Sequence, residues 1–232
     1  MGRKYEFTGE AICHKGRTLH RIRAVRDFGR VKAGALGGFV ESEENLSHEG
    51  TCWVYGNAKV YDAARVEHEA LVFFKSEVFE SAAIRDAAHV CGRAKVFGKA
   101  EIHDLARTCD DTLICDYAEI GGLARVFDHA KVTGSARVKA HAEISECAVI
   151  SGHARIMGAA QVFGHAMVGD YARLCGCARV FEDAVICGEA RVSEHATICG
   201  QANISAHESI SGRDFVCKAS QAQPLDLIAT QC

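Results

Sequence analysis

The sequence predicts an all-β protein built as a parallel β-helix, in which short strands stack along one axis. A six-residue repeat of the form V-x-[G/D/E]-x-A-x runs from residue 54 to residue 216 without insertion or deletion. A period of six does not fit the 3.6-residue turn of an α-helix; it suits a short strand of about three residues followed by a tight corner. The repeat also contains no proline, since Pro224 is the only one in the chain, and proline would remove a backbone hydrogen-bond donor.

Each unit of the repeat has two apolar positions with different sizes. Of the 28 positions that follow one another by six from Val54 to Val216, 27 hold Val, Ile or Leu, and Thr108 is the exception. Four residues after each aliphatic, from Ala58 to Asp214, Ala occupies 23 of 27 positions. Fixed-period self-similarity of this kind marks a repeat architecture. We therefore expect the aliphatic residue to fill the interior and the alanine to fit a tight inner corner.

Three such units make one triangular coil, and successive coils stack as parallel strands. With strands roughly 4.8 Å apart, the repeat makes about nine coils and a prism on the order of 40 Å long. Gly and Asp tolerate the positive φ that tight corners need, which explains their place in the third position of the repeat. The sequence thus predicts a β-helix over residues 52–217, followed by a short terminal cover over residues 218–232.

Residues 1–51 depart from the repeat and are predicted to form an N-terminal β cap. An open end of the prism would expose unpaired strand edges and core aliphatics, so it needs a cover. Residues 5–7, 19–25 and 39–40 have the composition of short capping strands.

The charge of this N-terminal segment is uneven. Residues 1–33 hold nine Lys and Arg against three acids, and residues 41–49 hold four glutamates. Two interpretations remain open: a basic patch for nucleic acid, or a solvated segment whose basic half pairs with its own acidic loop. The second is preferred, so a nucleic-acid partner is not expected.

The repeat segments "AKVTGSARVKAHAEIS" and "ARVFEDAVICGEARVSEHATICG" resemble the hexapeptide-repeat left-handed β-helix proteins, over residues 52–217. The resemblance implies left-handed coiling, an exception to the usual right-handed crossover, and often a trimer. Many members of that group are acyl- or acetyltransferases, some are metal-dependent carbonic anhydrases, and others are scaffolds without known chemistry. The leader, residues 18–58, resembles that of bacterial and phage-type β-helix proteins of unsettled function. Fold alone therefore does not decide the function.

Residues 18 apart form one column along a face of the predicted prism. On the first face, the column after the aliphatic position carries no charge and is predicted to be an interface, because long apolar stripes mark interfaces. Its cysteines are expected to be reduced and to act as small hydrophobes. Its aromatic members are Tyr55, Phe73, Phe127, Phe163 and Phe181.

The second face is also predicted to be apolar, and the third is charged. The apolar residues of the second face are Tyr61, Phe79, Phe97, Cys115, Leu113, Val149, Met167 and Val185. Two apolar faces suit a homotrimer in which each prism buries both against its neighbours. The alternative is aromatic ladders that only shield the strands of a monomer.

The third face carries a ladder of like charges. Arginines stacked on adjacent strands repel one another, so something must compensate them. Three sources remain open: bulk solvent, acidic residues of another chain, or a phosphate-bearing ligand that suits the guanidinium fork. This candidate anion site consists of Arg137, Arg155, Arg173 and Arg191.

Candidate catalytic residues are few. The carbonic-anhydrase-like members imply a pair of histidines five residues apart, and none of the twelve histidines has that spacing, so no metal site is expected. His129 and His165 are the candidates for a general base beside an inter-chain groove. They occupy a variable corner position that elsewhere holds Asn57, Lys75 and Arg93, and solvated corner residues are the alternative.

Composition excludes several function classes. The net charge is −3, which does not point to a nucleic-acid or membrane partner. The sequence contains no run of 18 apolar residues, the length expected of a membrane-spanning helix. The N-terminus lacks the apolar core of a secretory signal. Together with twelve cysteines whose spacing follows the repeat, this favours a cytoplasmic protein with reduced thiols.

The preferred function is a non-catalytic, oligomeric β-helix that binds a protein partner or an anionic, nucleotide-like ligand, encoded by a phage or mobile element. The first alternative is an acetyl- or acyltransferase of the hexapeptide-repeat type, which acts at the inter-subunit groove. Acetyl-CoA is a cofactor only in that alternative; otherwise none is expected. The second alternative is a structural scaffold that forms filaments.

Overall fold

A parallel β-solenoid accounts for nearly the whole structure, a computed structural model that describes residues 2–218. Its strands form three sheets of ten, twelve and nine strands. A strand recurs on each face every 18 residues, and the ten-stranded sheet corresponds to about ten turns. The prediction of an all-β parallel solenoid is confirmed. Of the predicted terminal cover, residues 219–232 lie outside the described residues.

Each sheet is one face of the solenoid. The first face contains β4 (Trp53–Val54), β7 (Leu71–Val72), β10 (His89–Val90), β13 (Arg107–Thr108), β16 (Arg125–Val126), β19 (Glu143–Ile144), β22 (Gln161–Val162), β25 (Arg179–Val180), β28 (Thr197–Gly200) and β31 (Phe215–Lys218). The second face contains β5 (Lys59–Val60), β8 (Glu77–Val78), β11 (Lys95–Val96), β14 (Leu113–Ile114), β17 (Lys131–Val132), β20 (Val149–Ile150), β23 (Met167–Val168), β26 (Val185–Ile186) and β29 (Asn203–Ile204). The third face contains β6 (Arg65–Val66), β9 (Ala83–Ile84), β12 (Glu101–Ile102), β15 (Glu119–Ile120), β18 (Arg137–Val138), β21 (Arg155–Ile156), β24 (Arg173–Leu174), β27 (Arg191–Val192) and β30 (Ser209–Ile210).

The N-terminal segment extends the second face by three strands. β1 (Tyr5–His14) and β2 (Arg17–Ala24) form an antiparallel hairpin, called here the N-terminal hairpin. β2 pairs antiparallel with β3 (Leu36–Val40), and β3 pairs parallel with β5. A single 3-10 turn, Glu43–Asn45, follows and is the one helical element among residues 2–218. The hairpin therefore stands beside the first turns of the solenoid.

The interior is filled as the repeat predicts. The second residue of each short strand is the aliphatic, and these side chains are buried along almost the whole column, as are the corner alanines. The first residue of each short strand points outward. Thr108 and Thr112, two of the exceptions to the repeat, are also buried in the interior.

The corners use backbone with positive φ two residues after each aliphatic. Gly occupies many of these positions, and Asp or Glu occupies most of the others, as at Asp62 with φ of 58°. Substitution at a glycine corner is restricted by space as well as by φ. A Cβ on Gly98, whose φ is 73°, would lie 2.6 Å from the backbone N of Asp116 on the next turn.

One cysteine prediction is wrong. Cys91 and Cys109, expected to be reduced, form a disulfide between consecutive turns of the first face. Stacking in register brings their Cα atoms to 4.5 Å, a separation that a disulfide spans. The 18-residue column already placed them on adjacent strands, and the prediction of reduced thiols came instead from the apparent lack of a secretory signal and the apolar column. Nine other cysteines among residues 2–218 are free.

Candidate functional site

The predicted interface residues of the first face are half-buried and stack on one another within the chain. The rings of Tyr55 and Phe73 lie 4.9 Å apart, and those of Phe163 and Phe181 also lie 4.9 Å apart, each pair nearly parallel. Phe127 is half-buried as well. Stacking therefore covers part of each ring without a second chain, and an intermolecular role for these residues stays a prediction.

The first face is more polar than its aromatic column suggests. The outward strand positions next to that column are charged on four of five consecutive turns, namely at Arg107, Arg125, Glu143 and Arg179. The guanidinium of Arg179 lies against the rings of Phe163 and Phe181, at 5.5 Å and 5.8 Å from their centroids. An uncharged stretch occurs instead on the second face, where Val149, Met167 and Val185 are the outward residues of consecutive strands. We call these three residues the apolar patch.

The arginine ladder of the third face is present as predicted from the 18-residue spacing. Arg137, Arg155, Arg173 and Arg191 pair in register on four consecutive strands and are all exposed. Arg137 forms an ion pair with Glu119, at 3.1 Å between Nε and Oε2. Among residues 2–218, no carboxylate oxygen lies within ion-pair distance of the other three. A small depression of about 200 Å³ lies beside Arg173 and Arg191.

His129 and His165 are exposed corner residues separated by the turn that holds Cys147. The Nδ1 atom of His129 lies 3.9 Å from Asp111 Oδ2, and Asp111 also accepts a hydrogen bond from Arg93. Cys147 thus lies in the same corner column, one turn from each histidine. Neither histidine lines the large cavity described next.

A concavity lies between the N-terminal hairpin and the second face, and we call it the basic cleft. Its volume is about 590 Å³. Five cationic side chains and two carboxylates surround it. The lining residues are Glu10, Ile12, Arg21, Phe39, Asn57, Lys59, Lys75, Glu77, Arg93 and Lys95.

The solenoid repeat places most of these side chains. Lys59, Glu77 and Lys95 are the outward residues of β5, β8 and β11, which pair in register on the second face. The corner residues at 57, 75 and 93 form a second column with the same 18-residue spacing. The opposite wall comes from the N-terminal strands, which supply Glu10, Ile12, Arg21 and Phe39.

Several charges of the cleft are already paired within the chain. Arg21 donates from Nε to Glu10 at 2.7 Å, and its guanidinium lies over the Phe39 ring, 4.3 Å from the centroid. The ammonium of Lys59 is 3.8 Å from Glu77, and Arg93 pairs with Asp111.

Glu77 links the hairpin to the second face. Lys15 donates to its Oε2 at 3.0 Å, and His14 Nε2 lies 3.3 Å from the same oxygen. Burial by itself raises the pKa of a carboxyl group. Here the hydrogen bond from Lys15 and the charges of Lys15 and His14 outweigh burial, so the pKa of Glu77 lies below its usual value.

Lys75 and Lys95 are the cations of the cleft without such partners. Both are exposed, and no carboxylate oxygen of residues 2–218 lies within 4.0 Å of either ammonium. Their charges therefore face the cavity, together with the apolar surfaces of Ile12 and Phe39. Such a surface can hold an anion that also has a flat or apolar part.

Sequence reasoning did not find this cleft. The columns of basic residues were visible in the repeat, since Lys75 and Arg93 are 18 apart, as are Glu77 and Lys95. The sequence did not show where the hairpin packs. The hairpin does not follow the six-residue repeat, so its position against the solenoid cannot be read from residue spacing.

Comparison with known proteins adds no assignment. No protein-family model matches the sequence, and no curated protein matches it. Within residues 2–218, no helix is long and apolar enough to cross a membrane.

Proposed function

We propose that this chain is a non-catalytic, oligomeric β-solenoid that binds a phosphate-bearing, nucleotide-like anion in the basic cleft. One observation carries the proposal: five cationic side chains surround a cavity of about 590 Å³, and no carboxylate oxygen of the described residues lies within 4.0 Å of the ammonium groups of two of them, Lys75 and Lys95. Pockets for small ligands commonly have volumes of roughly 300–1,000 Å³. The cleft is thus large enough for a nucleotide.

The chemistry of the lining suits both parts of such a ligand. Lysine ammonium groups bind phosphate oxygens as compact point charges. Phe39, which already carries Arg21 on its face, and Ile12 offer apolar contact to a base or another flat group. Arg93 is bound by Asp111, so we assign phosphate binding to Lys75 and Lys95 first.

The test is titration calorimetry of the full chain with ATP, inorganic pyrophosphate and adenosine as separate probes. We expect ATP to bind more tightly than pyrophosphate, and adenosine to bind weakly. The Lys75→Ala/Lys95→Ala variant is expected to lose at least tenfold in affinity, about 1.4 kcal/mol. Lys131→Ala is the matched control, because Lys131 is an outward lysine of the same face outside the cleft.

Two results contradict the proposal. One is the absence of binding by all three probes at millimolar concentration; the other is unchanged ATP affinity in the double lysine variant. ATP recovered intact after incubation supports a non-catalytic role, whereas hydrolysis contradicts it. Acetyl-CoA is added as a fourth probe: binding that is lost in His129→Ala or His165→Ala favours the transferase alternative.

The family and the assembly belong to the same proposal. The unbroken six-residue repeat and its 18-residue register support membership in the hexapeptide-repeat left-handed β-helix superfamily. The apolar patch on the second face supports self-association as a homotrimer, since its exposed Met167 lies between two aliphatic neighbours. Phosphate bound along the arginine ladder of the third face is a weaker candidate, because the depression there is only about 200 Å³ and Glu189 also lines it.

A further inference from the structure

The first face contains two places where cysteines of consecutive turns stack directly on each other. One pair is Cys91 and Cys109, which are joined as a disulfide. The other is Cys199 and Cys217, which pair in register on β28 and β31 and are free thiols. The two pairs occupy the same column, six turns apart. They differ in the corner residue that precedes them.

A carboxylate accompanies only the second pair. Glu182, the corner residue one turn before Cys199, reaches along the axis, and its carboxylate and the two Sγ atoms all lie within 4.8 Å of one another. At the corresponding corner before Cys91 the residue is Phe74, which offers no ligand atom. Cys199 is buried, whereas Cys217 and Glu182 are exposed, so the group is reached from one side.

We propose that Cys199, Cys217 and Glu182 form a binding site for a borderline-soft divalent cation of the Zn²⁺ class. Two thiolates and one carboxylate are a ligand set that zinc accepts, with bonds of roughly 2.0–2.3 Å. A tetrahedral ion with such bonds has its ligand atoms about 3.5 Å apart. Small rotations of the three side chains would bring their ligand atoms to that separation. Binding releases one proton from each thiol to solvent, and water completes the coordination. None of these three residues lines the basic cleft.

Histidine spacing predicted no metal site, and this site contains no histidine. Its ligands are 17 and 18 residues apart, a spacing that matters only because one turn of the solenoid takes 18 residues. One oxygen of Glu182 accepts a hydrogen bond from the backbone N–H of Gly200 at 2.6 Å. That contact holds the side chain along the axis and leaves the second oxygen for a cation.

The chain offers a close control for this role of Glu182. Glu146 occupies the same column two turns earlier and accepts a hydrogen bond from the N–H of Gly164 at 3.0 Å. Its neighbours on the next two turns are Phe163 and Phe181, at the positions of Cys199 and Cys217. Glu146→Gln therefore removes the same structural charge without touching the proposed ligands.

The test is titration of the reduced, chelator-treated full chain with Cd²⁺, followed by the ultraviolet thiolate-to-cadmium absorption band. We expect one tight site, with the band lost in Cys199→Ser and in Cys217→Ser. Glu182→Gln is expected to weaken Cd²⁺ binding at least tenfold. Glu146→Gln and Cys91→Ser/Cys109→Ser are expected to bind Cd²⁺ as the unmodified chain does.

A second measurement needs no substitution. In the unmodified, reduced chain, Zn²⁺ is expected to slow alkylation of Cys199 and Cys217 but not of Cys175 and Cys177, as read by peptide mass spectrometry. The proposal is overturned by equal alkylation with and without Zn²⁺ or by a Cd²⁺ band that survives Cys199→Ser. It is also overturned if Glu182→Gln binds like Glu146→Gln, or if a Cys199–Cys217 disulfide persists in reductant.

Discussion

At the scale of single residues, the acidic corners have a structural role. Ten carboxylates at positive-φ corners each accept a hydrogen bond from the backbone N–H of the corner residue on the next turn; they are Asp62, Glu80, Asp86, Asp104, Asp110, Asp116, Asp128, Glu146, Asp170 and Glu182. At Asp104 the hydrogen bond from Gly122 lowers the pKa of the carboxyl group. The repeat thus prefers Asp and Glu at corners because they satisfy a donor as well as tolerate the turn.

The exceptions to the repeat are informative at the same scale. Thr108 occupies an aliphatic position, and its buried Oγ1 has no hydrogen-bond partner among residues 2–218. The corner position four residues later holds Thr112, whose buried Oγ1 also lacks one. A buried hydroxyl without a partner costs about 1–3 kcal/mol. These two positions are therefore weak points of the interior.

Replacing Thr108 by valine is expected to stabilise the protein by ~1 kcal/mol. Valine has nearly the same shape and removes the unpaired hydroxyl, so the interior keeps its packing. Chemical denaturation of the variant and the parent chain measures the change. Thr197→Val, an outward position on the first face, is the control and is expected to change stability by less than ~0.5 kcal/mol. A lower stability of Thr108→Val would show that the hydroxyl does have a partner.

At the scale of elements, the N-terminal segment is attached by the backbone pairing of β3 with β5 and by side chains. Lys4 is buried, and its ammonium donates to the carbonyl oxygens of Glu49 and Cys52 at 3.2 and 3.0 Å. Burial lowers the pKa of this lysine. The Asn45 amide donates to the carbonyl oxygens of Asp62 and Ala64, each at 2.9 Å. The Asn45 contacts thus pair backbone acceptors at the start of the solenoid.

The Glu77 cluster makes attachment of the hairpin depend on pH. The pKa of Glu77 is lower in the folded protein than its ordinary value of 4.5. Its contribution to stability is therefore present above pH 4.5 and is lost as the pH falls through the lower, folded pKa. We expect the hairpin to loosen in acid, and Glu77→Gln to remove this part of the pH dependence.

Fluorescence of Trp53 is the measurement, because it is the only tryptophan of the chain and packs against Tyr5 and Phe28 of the N-terminal segment. Unfolding followed at a series of pH values gives the dependence for each variant. Glu143→Gln serves as control, since Glu143 lies at the outward position of a first-face strand. An identical acid response in Glu77→Gln and the parent chain would contradict the role of Glu77.

At the scale of the whole molecule, a uniform interior supports faces with different chemistry. The stacked aliphatics and alanines form the interior, so the outward side chains of most strands are not part of it. The second face has two chemically different regions: charged residues beside the hairpin, and the apolar patch farther along the solenoid. Exposed apolar surface of this kind is typical of interaction sites.

The trimer proposed above makes a simple prediction. Sedimentation equilibrium at micromolar concentration is expected to give three times the chain mass of 25.0 kDa. Met167→Arg puts a charge at the centre of the apolar patch and is expected to shift the protein toward monomer. Arg155→Ala, on the third face, is expected to leave the mass unchanged. A parent chain that stays monomeric would rule out the trimer, and an unchanged mass in Met167→Arg would exclude this patch as the interface.

The sequence alone determined the architecture of the solenoid. Its period places Val54 and every sixth residue after it inside, and its 18-residue columns correctly align the arginine ladder from Arg137 to Arg191. A repeat can be read this way because each turn contacts only its neighbours, so local spacing is also spatial spacing. The same arithmetic gives about nine coils, whereas the first face has ten strands and so about ten turns.

Only the tertiary structure decided what lies outside that arithmetic. The basic cleft depends on where the hairpin packs against Lys75 and Lys95, and the hairpin has no period that fixes its place. The Cys91–Cys109 bond and the approach of Glu182 to Cys199 depend on distances below 5 Å between side chains. Such distances follow from side-chain direction at each corner, which a repeat of residue types does not specify.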